Sequence, residues 1–509
     1  MTSVRQAPAR INVGAYLSGV PFAVWTIVGG IMAGYVVLAV GERPTRWLMF
    51  LLAGAVAATV ITLAGQLRRQ LMVYFVISLS LNVNYYLTQP EQLLFIGNSS
   101  PTYFSIPLVL LPAFALAVWA VLESIAGRRR IRYGFPLTKF ALFVLAAAFV
   151  STMASKVRRY GIYAMAEMLE FIFIYLVALN TVRTRRDFVL VLRLLLFTLA
   201  VQCTAFLLQT ATGSVFTLTG QVFRSSEGVV RASGTVGVNP ASYAGFIEPL
   251  LFIAFALWRT RGSGISPAWT GGLVAVASTT LILTLDRTAW VTLPLGLFVV
   301  EILCRRRRLA RPLTVGTQVA IATVALLVAV GVTPLILPRL FARHSDDWTT
   351  RKDLMRIAFN MIVANPIIGV GPGAYPFHIR QYLPRGIGNW LWVVHNQYLL
   401  ILAEGGIIGL AAWLAWFRAG FRQALAATKT HTVQYQAFAI GCVAGVVGIA
   451  WEYMLNAFPS FCCSALLWFL FGVLVSGNEL YGPAAQVADE PTAERTASLA
   501  MHQVPLAAS

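Results

Sequence analysis

The chain has 509 residues, 58% of them hydrophobic and only 11% charged, with a formal net charge of +20. A mean hydropathy of +0.73 excludes a soluble globular domain and indicates a polytopic helical membrane protein. The positive charge does not imply nucleic acid, because the Arg clusters occupy short links between apolar segments, as expected of cytoplasmic loops.

Met1–Asn12 is polar and basic and leads into a run long enough to span a bilayer, so it reads as part of a retained helix. Fourteen apolar runs follow, at roughly 17–40, 47–65, 71–88, 104–124, 136–154, 160–181, 188–209, 241–257, 268–285, 289–304, 315–337, 395–417, 435–455 and 460–476. The third is the weakest, thinned by Asn82, Asn84 and Gln89. Arg68-Arg69, Arg128-Arg129-Arg130 with Arg132, Arg183 to Arg186, Arg259 with Arg261, Arg305–Arg308 and Arg418 with Arg422 then share one side. That side is expected to be cytoplasmic, with both termini on it. Arg43 with Arg46, and Lys156-Val157-Arg158-Arg159, fall on the other side. The fold expected is all-α, a transmembrane bundle of about 12–14 helices with one large extracytoplasmic loop. Its domains are a membrane domain over 1–476, including the loop at 338–394, and a disordered cytoplasmic tail over 477–509.

The outer side holds the polar loops. Thr210–Pro240 carries Arg224, Glu227 and Arg231, and Asp286-Arg287-Thr288 forms a tight turn. Within 338–394, Arg351–Ala364 reads as an amphipathic helix with Leu354, Ile357, Ala358 and Met361 on one face. Pro366 and the run Gly369-Val370-Gly371-Pro372-Gly373 end it. The aromatic and Ile content of this loop argues that it folds against the membrane domain. Cys203, Cys304, Cys442, Cys462 and Cys463 show neither metal-ligand nor disulfide spacing. Asp346-Asp347 is the only carboxylate pair in the outer loops, too little for a DxD-type metal site, and no cofactor motif appears.

The longest polar interruption ends at His395-Asn396-Gln397-Tyr398, which runs on to Glu404-Gly405-Gly406 and Gly409-Leu410. On one continuous helix His395 and Glu404 would lie on opposite faces, about 13.5 Å apart along the axis, too far for a direct acid–base pair. Gly405 and Gly409 have the spacing that lets a neighbouring helix approach closely. Arg231, Arg287, Arg343 and Arg351 gather on the outer side, with Arg339, Arg356, Arg380, Arg385 and His378 as further candidates. Taken singly, each is an ordinary solvated charge. Together, guanidinium forks suit phosphate and an imidazole suits proton transfer at neutral pH. The set fits transfer chemistry on a lipid-linked phosphate or pyrophosphate ester. Ionisable groups inside apolar runs are functional candidates by default; Glu404 reads rather as a structural partner buried in the bundle, and for Glu167, Glu170 and Glu248 structural pairing, with Arg193 or an outer-face Arg, is favoured over a functional role.

Four ordered blocks resemble the O-antigen ligase and polymerase superfamily of bacterial membrane glycosyltransferases. They are Arg231-Ala232-Ser233-Gly234 with Asn239-Pro240; Asp286-Arg287-Thr288-Ala289-Trp290, with Asp where Ser is common; Arg351 with Asn365-Pro366 through Gly373; and the His395 block through Leu410. The resemblance implies a GT-C-like, inverting transferase without a cofactor or divalent metal, set in the inner membrane with its active site periplasmic. Its donor would be a glycan on undecaprenyl pyrophosphate and its acceptor a hydroxyl of a glycan or of lipid A–core. His395 would be the general base, and Arg231 and Arg287 would bind the pyrophosphate. Arg351, Arg343, Arg224, Asn396 and Tyr398 would contact substrate, while Glu404, Gly405 and Gly409 would support the helix. A protein O-oligosaccharyltransferase shares these motifs. A flippase of lipid-linked glycan is the rival from another class, but it would be expected to show internal repeats and helices broken near the midplane.

Overall fold

The computed structural model describes residues 67–86, 104–135, 137–213, 231–237, 239–312, 345–384, 392–456 and 460–482. The runs at 17–40, 47–65 and 315–337, with Arg43, Arg46, Arg224, Arg339, Arg343 and Arg385, lie outside them. Among the described residues are thirteen helices: α1 (Leu67–Ser78), α2 (Leu110–Ile125), α3 (Leu137–Ala154), α4 (Arg158–Thr181), α5 (Arg185–Thr212), α6 (Pro240–Arg259), α7 (Pro267–Leu283), α8 (Arg287–Arg306), α9 (Ser345–Ala364), α10 (Tyr375–Tyr382), α11 (Gln397–Ala427), α12 (Val433–Leu455) and α13 (Phe461–Tyr481). Eight are long and apolar enough to cross a membrane: α3, α4, α5, α6, α8, α11, α12 and α13. The protein is a polytopic helical membrane protein.

Two expectations change. The run at 71–88 is not one span: α1 stops at Ser78, and Asn84–Tyr86 (β1) pairs antiparallel with Ser105–Pro107 (β2). Ser78 and Ser80 turn their hydroxyls back onto the Phe75 and Ile77 carbonyls, a local alternative to further helix. The Asn82 backbone N–H then donates to Thr235, on the segment that carries Arg231. At the other end of the chain, α13 runs through Tyr481, past the expected tail boundary at 476.

The bundle is built around α6, which is apolar on nearly every side and enclosed by α7, α8 and α12. The α6–α12 seam is a run of small residues. A methyl group on Gly441 would sit 2.4 Å from the Ile253 Cα, and one on Gly445 3.0 Å from Pro249 Cβ. Close backbone approach of this kind substitutes for the hydrophobic drive that lipid does not provide. Phe114, Phe143, Phe149 and Phe298 point outward instead, as lipid-facing side chains.

The Arg clusters hold one end of the bundle together, with Arg68 on Asp187 at 2.9 Å, Arg132 on Glu479 at 2.7 Å and Arg259 on Glu301 at 2.7 Å. The opposite end gathers the α3–α4 turn, the start of α6, the α7–α8 turn, the start of α11 and the end of α12. Lys156–Arg159 belongs to this second end: Tyr160, next in the chain, stacks on Phe377 of α10 at 3.6 Å. A second, smaller core forms here from the face predicted for α9 (Leu354, Ile357, Ala358, Met361), from Tyr375 and Ile379 of α10, and from Val393, Val394, Leu400 and Ala403.

Candidate active site

His395 lies just before α11 rather than within it. Asn396 is the N-cap, its side-chain oxygen accepting the Leu399 N–H at 2.9 Å. The imidazole Nδ1 lies 3.2 Å from the Val393 carbonyl. A carbonyl only accepts, so in this contact the ring donates its hydrogen from Nδ1. Val393 and Val394 are fully packed in the smaller core, which fixes the backbone from which the ring projects.

His395 stands one residue ahead of the N-cap of the helix that carries Glu404, so the two do not lie on one continuous helix, and that helix is itself interrupted just beyond Glu404. Gly406 adopts φ 61° and ψ −166°, a region open essentially to glycine alone, and α11 is broken there. In an unbroken helix the Ile407 and Ile408 N–H groups would bond to the Ala403 and Glu404 carbonyls. Instead the loop segment 366–371 takes over all four groups. Ile407 N–H donates to Pro366 at 2.9 Å and Ile408 N–H to Ile367 at 3.3 Å, while Val370 and Gly371 N–H donate to Ala403 and Glu404 at 3.0 and 2.9 Å. Ser151 of α3 closes the joint, its hydroxyl lying 2.5 Å from the Ile368 carbonyl and 2.8 Å from that of Glu404. These four backbone groups therefore keep partners across the break. Gly369 is required at this joint because a Cβ would lie 2.3 Å from the Glu404 backbone, and its φ is +68°. The Asn-Pro-x-x-Gly-x-Gly-x-Gly block and the Glu-Gly-Gly block are therefore two halves of one junction.

Gly405 and Gly409 are buried, and among the described residues a Cβ on either would meet nothing within 4 Å. The close approach in this helix is at Gly406, and the small-residue seam of the bundle lies on α12. Glu404 is held by the loop rather than by an Arg. Its carboxylate accepts the Tyr375 N–H at 3.2 Å, where an acid complements the start of α10. Burial pushes the neighbouring Tyr375 phenol upward, and its hydroxyl donates to the Leu354 carbonyl at 3.3 Å.

The remaining blocks meet at the C-terminal end of α12, a segment the sequence analysis did not single out. A helix end presents carbonyls without intrahelical partners. Here Asn396 Nδ2 donates to Met454 at 2.9 Å and Arg351 Nη1 to Leu455 at 3.4 Å. One turn earlier, Tyr398 OH donates to Ala450 at 2.8 Å. The next residue, Asn456, reaches Thr288 Oγ1 at 3.5 Å, which ties α12 to the Asp286-Arg287-Thr288 turn. In that turn Asp286 caps α8 through the Thr288 N–H at 3.0 Å and leaves Arg287 exposed. Arg231 Nε donates to the Thr284 carbonyl of the same turn at 3.4 Å. The sequence signal for the α12 end was Asn456 closing an apolar run on the outer side.

Other candidates stand apart. Arg356 and Arg380 are exposed on α9 and α10, and His378 is buried against Gln381 in the smaller core. Glu248 has no ion pair among the described residues, against the expected pairing.

Residues 272–414 match the family model described as O-antigen ligase. This stretch of the chain is similar to an O-antigen ligase domain. The match takes in the Asp286-Arg287 turn, Arg351, the loop half and the helix half of the junction, and His395. No curated protein matches the chain. The domain supports a surface-polysaccharide ligase or polymerase type of function, with a lipid-linked glycan donor and an acceptor in a membrane setting.

Proposed function

We propose that this protein transfers a glycan from undecaprenyl pyrophosphate to an acceptor hydroxyl at the periplasmic face of the inner membrane, with inversion and without a divalent metal. His395 Nε2 takes the proton as the acceptor oxygen attacks the anomeric carbon, and the bond to undecaprenyl pyrophosphate breaks with its electron pair on the leaving group. Arg231 and Arg287 bind that pyrophosphate and stabilise its developing charge. Arg351, Asn396 and Tyr398 hold the His395 segment against α12, with Arg224 and Arg343 as further anion contacts. Both termini are cytoplasmic in this reading.

The observation that carries the reading is the run of hydrogen bonds through Asn396, Arg351, Asn456 and Arg231, which brings the blocks of His395, Arg287 and Arg231 to one end of the bundle. A flippase would also use a broken helix, but the gap in α11 is filled by the chain's own loop instead of lining an aqueous cavity.

Product analysis with purified protein and synthetic undecaprenyl-pyrophosphate glycan tests the proposal. Wild type is expected to consume the donor in the presence of EDTA. His395→Ala should lose about 10²–10⁴-fold in rate while remaining folded. A ladder of longer lipid-linked glycans would identify a polymerase. Donor consumed only when lipid A–core or a protein acceptor is supplied would identify a ligase or an O-oligosaccharyltransferase. Wild-type turnover by the Ala variant would refute the base, and restoration by Mg²⁺ after EDTA the metal-free step.

A further inference from the structure

Behind the Asp286-Arg287-Thr288 turn lie two carboxyl groups that the proposed chemistry does not use. Glu248, midway along α6, is 1% exposed, and neither of its carboxyl oxygens has a hydrogen-bond partner. Glu452, in the last turn of α12, is 8% exposed, and its Oε1 is likewise unpartnered. The two groups interact electrostatically with each other and with Asp286. Neither forms an ion pair with a Lys or Arg among the described residues.

The helices make reciprocal room for them. A Cβ on Gly245, one turn before Glu248, would sit 2.9 Å from Glu452 Oε2. A Cβ on Gly448, one turn before Glu452, would sit 3.4 Å from Glu248 Oε2. Each carboxyl therefore projects over a glycine of the other's helix. Beside Glu452 is a cavity of about 20 Å³, lined also by Gly245, Asn456 and Cys463 and large enough for one water.

Two ionised carboxylates side by side in the interior of a membrane bundle, without a cation, carry a Coulomb and desolvation penalty that protonation removes. We propose that Glu248 and Glu452 form a proton-binding site, a carboxyl pair that holds at least one proton and hydrogen-bonds across the α6–α12 seam through it. Among the described residues, the other titratable groups facing the pair are Asp286 at the start of α8, Cys463 from α13 and Tyr453 of α12 itself. None of these supplies positive charge. The proton removes at least half of the negative charge that the pair would otherwise place behind Arg287 to compete with an anion for its guanidinium. That consequence rests on the pyrophosphate-binding role proposed above.

The test uses full-length protein in nanodiscs. Infrared spectra of wild type, Glu248→Gln and Glu452→Gln are compared at neutral pH, and donor KM is measured on the same samples. The wild-type spectrum should contain a protonated-carboxyl C=O band that shifts in D₂O and is displaced or lost in the Gln variants. Because Gln mimics the neutral acid, both variants should keep the wild-type donor KM. A variant that fails to insert leaves the wild-type band and the other variant as the readout. Wild type without the band, a band unaffected in both variants, or a rise in KM of about tenfold or more in either folded variant overturns the proposal. So does a requirement for Na⁺, which would make the occupant a metal cation. The infrared result stands whether or not the preparation transfers glycan, so failure of the transferase reading would be distinguishable.

Discussion

The two cores of this protein are held together by different physics, and the proposed site lies across their boundary. The α6–α12 seam relies on glycines that bring backbones into contact, because lipid is as apolar as the side chains it would replace. The smaller core packs α9 and α10, neither of them long and apolar enough to cross a membrane, and there each fully buried Leu, Ile or Met contributes about 1.5–3 kcal/mol. Arg287 and Arg231 project from the first and His395 from the second. A base and its anion-binding partners can thus be disturbed separately, and the joint at Gly406 and the α12 carbonyls determine whether they stay in register.

The most severe disruption of the membrane side should come from Gly441→Ile. A branched side chain directed at the Ile253 backbone cannot be relieved by a rotamer change, and overpacking costs about 1–3 kcal/mol even where it can. Loss of folded protein from membrane extracts is expected; wild-type yield and melting would refute the seam. Gly369→Val should spare the bundle and detach the loop, through positive φ and contact with the Glu404 backbone, at a strain cost of about 1–3 kcal/mol. Transfer should collapse while α6–α12 stays folded, with the loop alone gaining protease sensitivity. A variant that melts as a whole would mean that the two cores are one cooperative unit.

Arg287→Lys keeps the charge and removes the fork. Losing one charge-assisted hydrogen bond of about 1.5–3 kcal/mol should raise donor KM by roughly ten- to a hundredfold with little change in stability. An unchanged KM would count against bidentate recognition. The smallest effect is expected from Tyr398→Phe, which deletes the bond to the Ala450 carbonyl at about 0.5–1.5 kcal/mol. A several-fold drop in kcat at constant donor KM would place Tyr398 in the register of His395, whereas a change in KM alone would place it at the donor.

Most membrane helices were legible in order because each is a long apolar run, and α9 was legible because Leu354, Ile357, Ala358 and Met361 recur at helical spacing. The break in α11 was not, because Gly405-Gly406 in an apolar run looks like packing until the loop residues that replace its hydrogen bonds are seen beside it. The α12 end was missed for a related reason: most of its contribution is backbone carbonyls, and Asn456 alone among its side chains marks it. Arg231, Arg287 and His395 could be nominated by type and motif, whereas their shared anchoring through Thr284, Asn456 and Met454 needed coordinates. Glu248 shows the opposite failure. An Arg partner was expected on electrostatic grounds, yet the nearest titratable groups are other acids.

The junction also sets where this protein can be cut and recombined. Loop residues 366–371 carry backbone bonds belonging to a helix much later in the chain, so the large loop is not a detachable cassette. A chimera that imports a relative's loop but keeps its own residues 403–408 would pair two mismatched halves of one helix. Exchanges aimed at altering acceptor choice should therefore move Ser345 through Ile408 as one block, together with a serine at the position of Ser151.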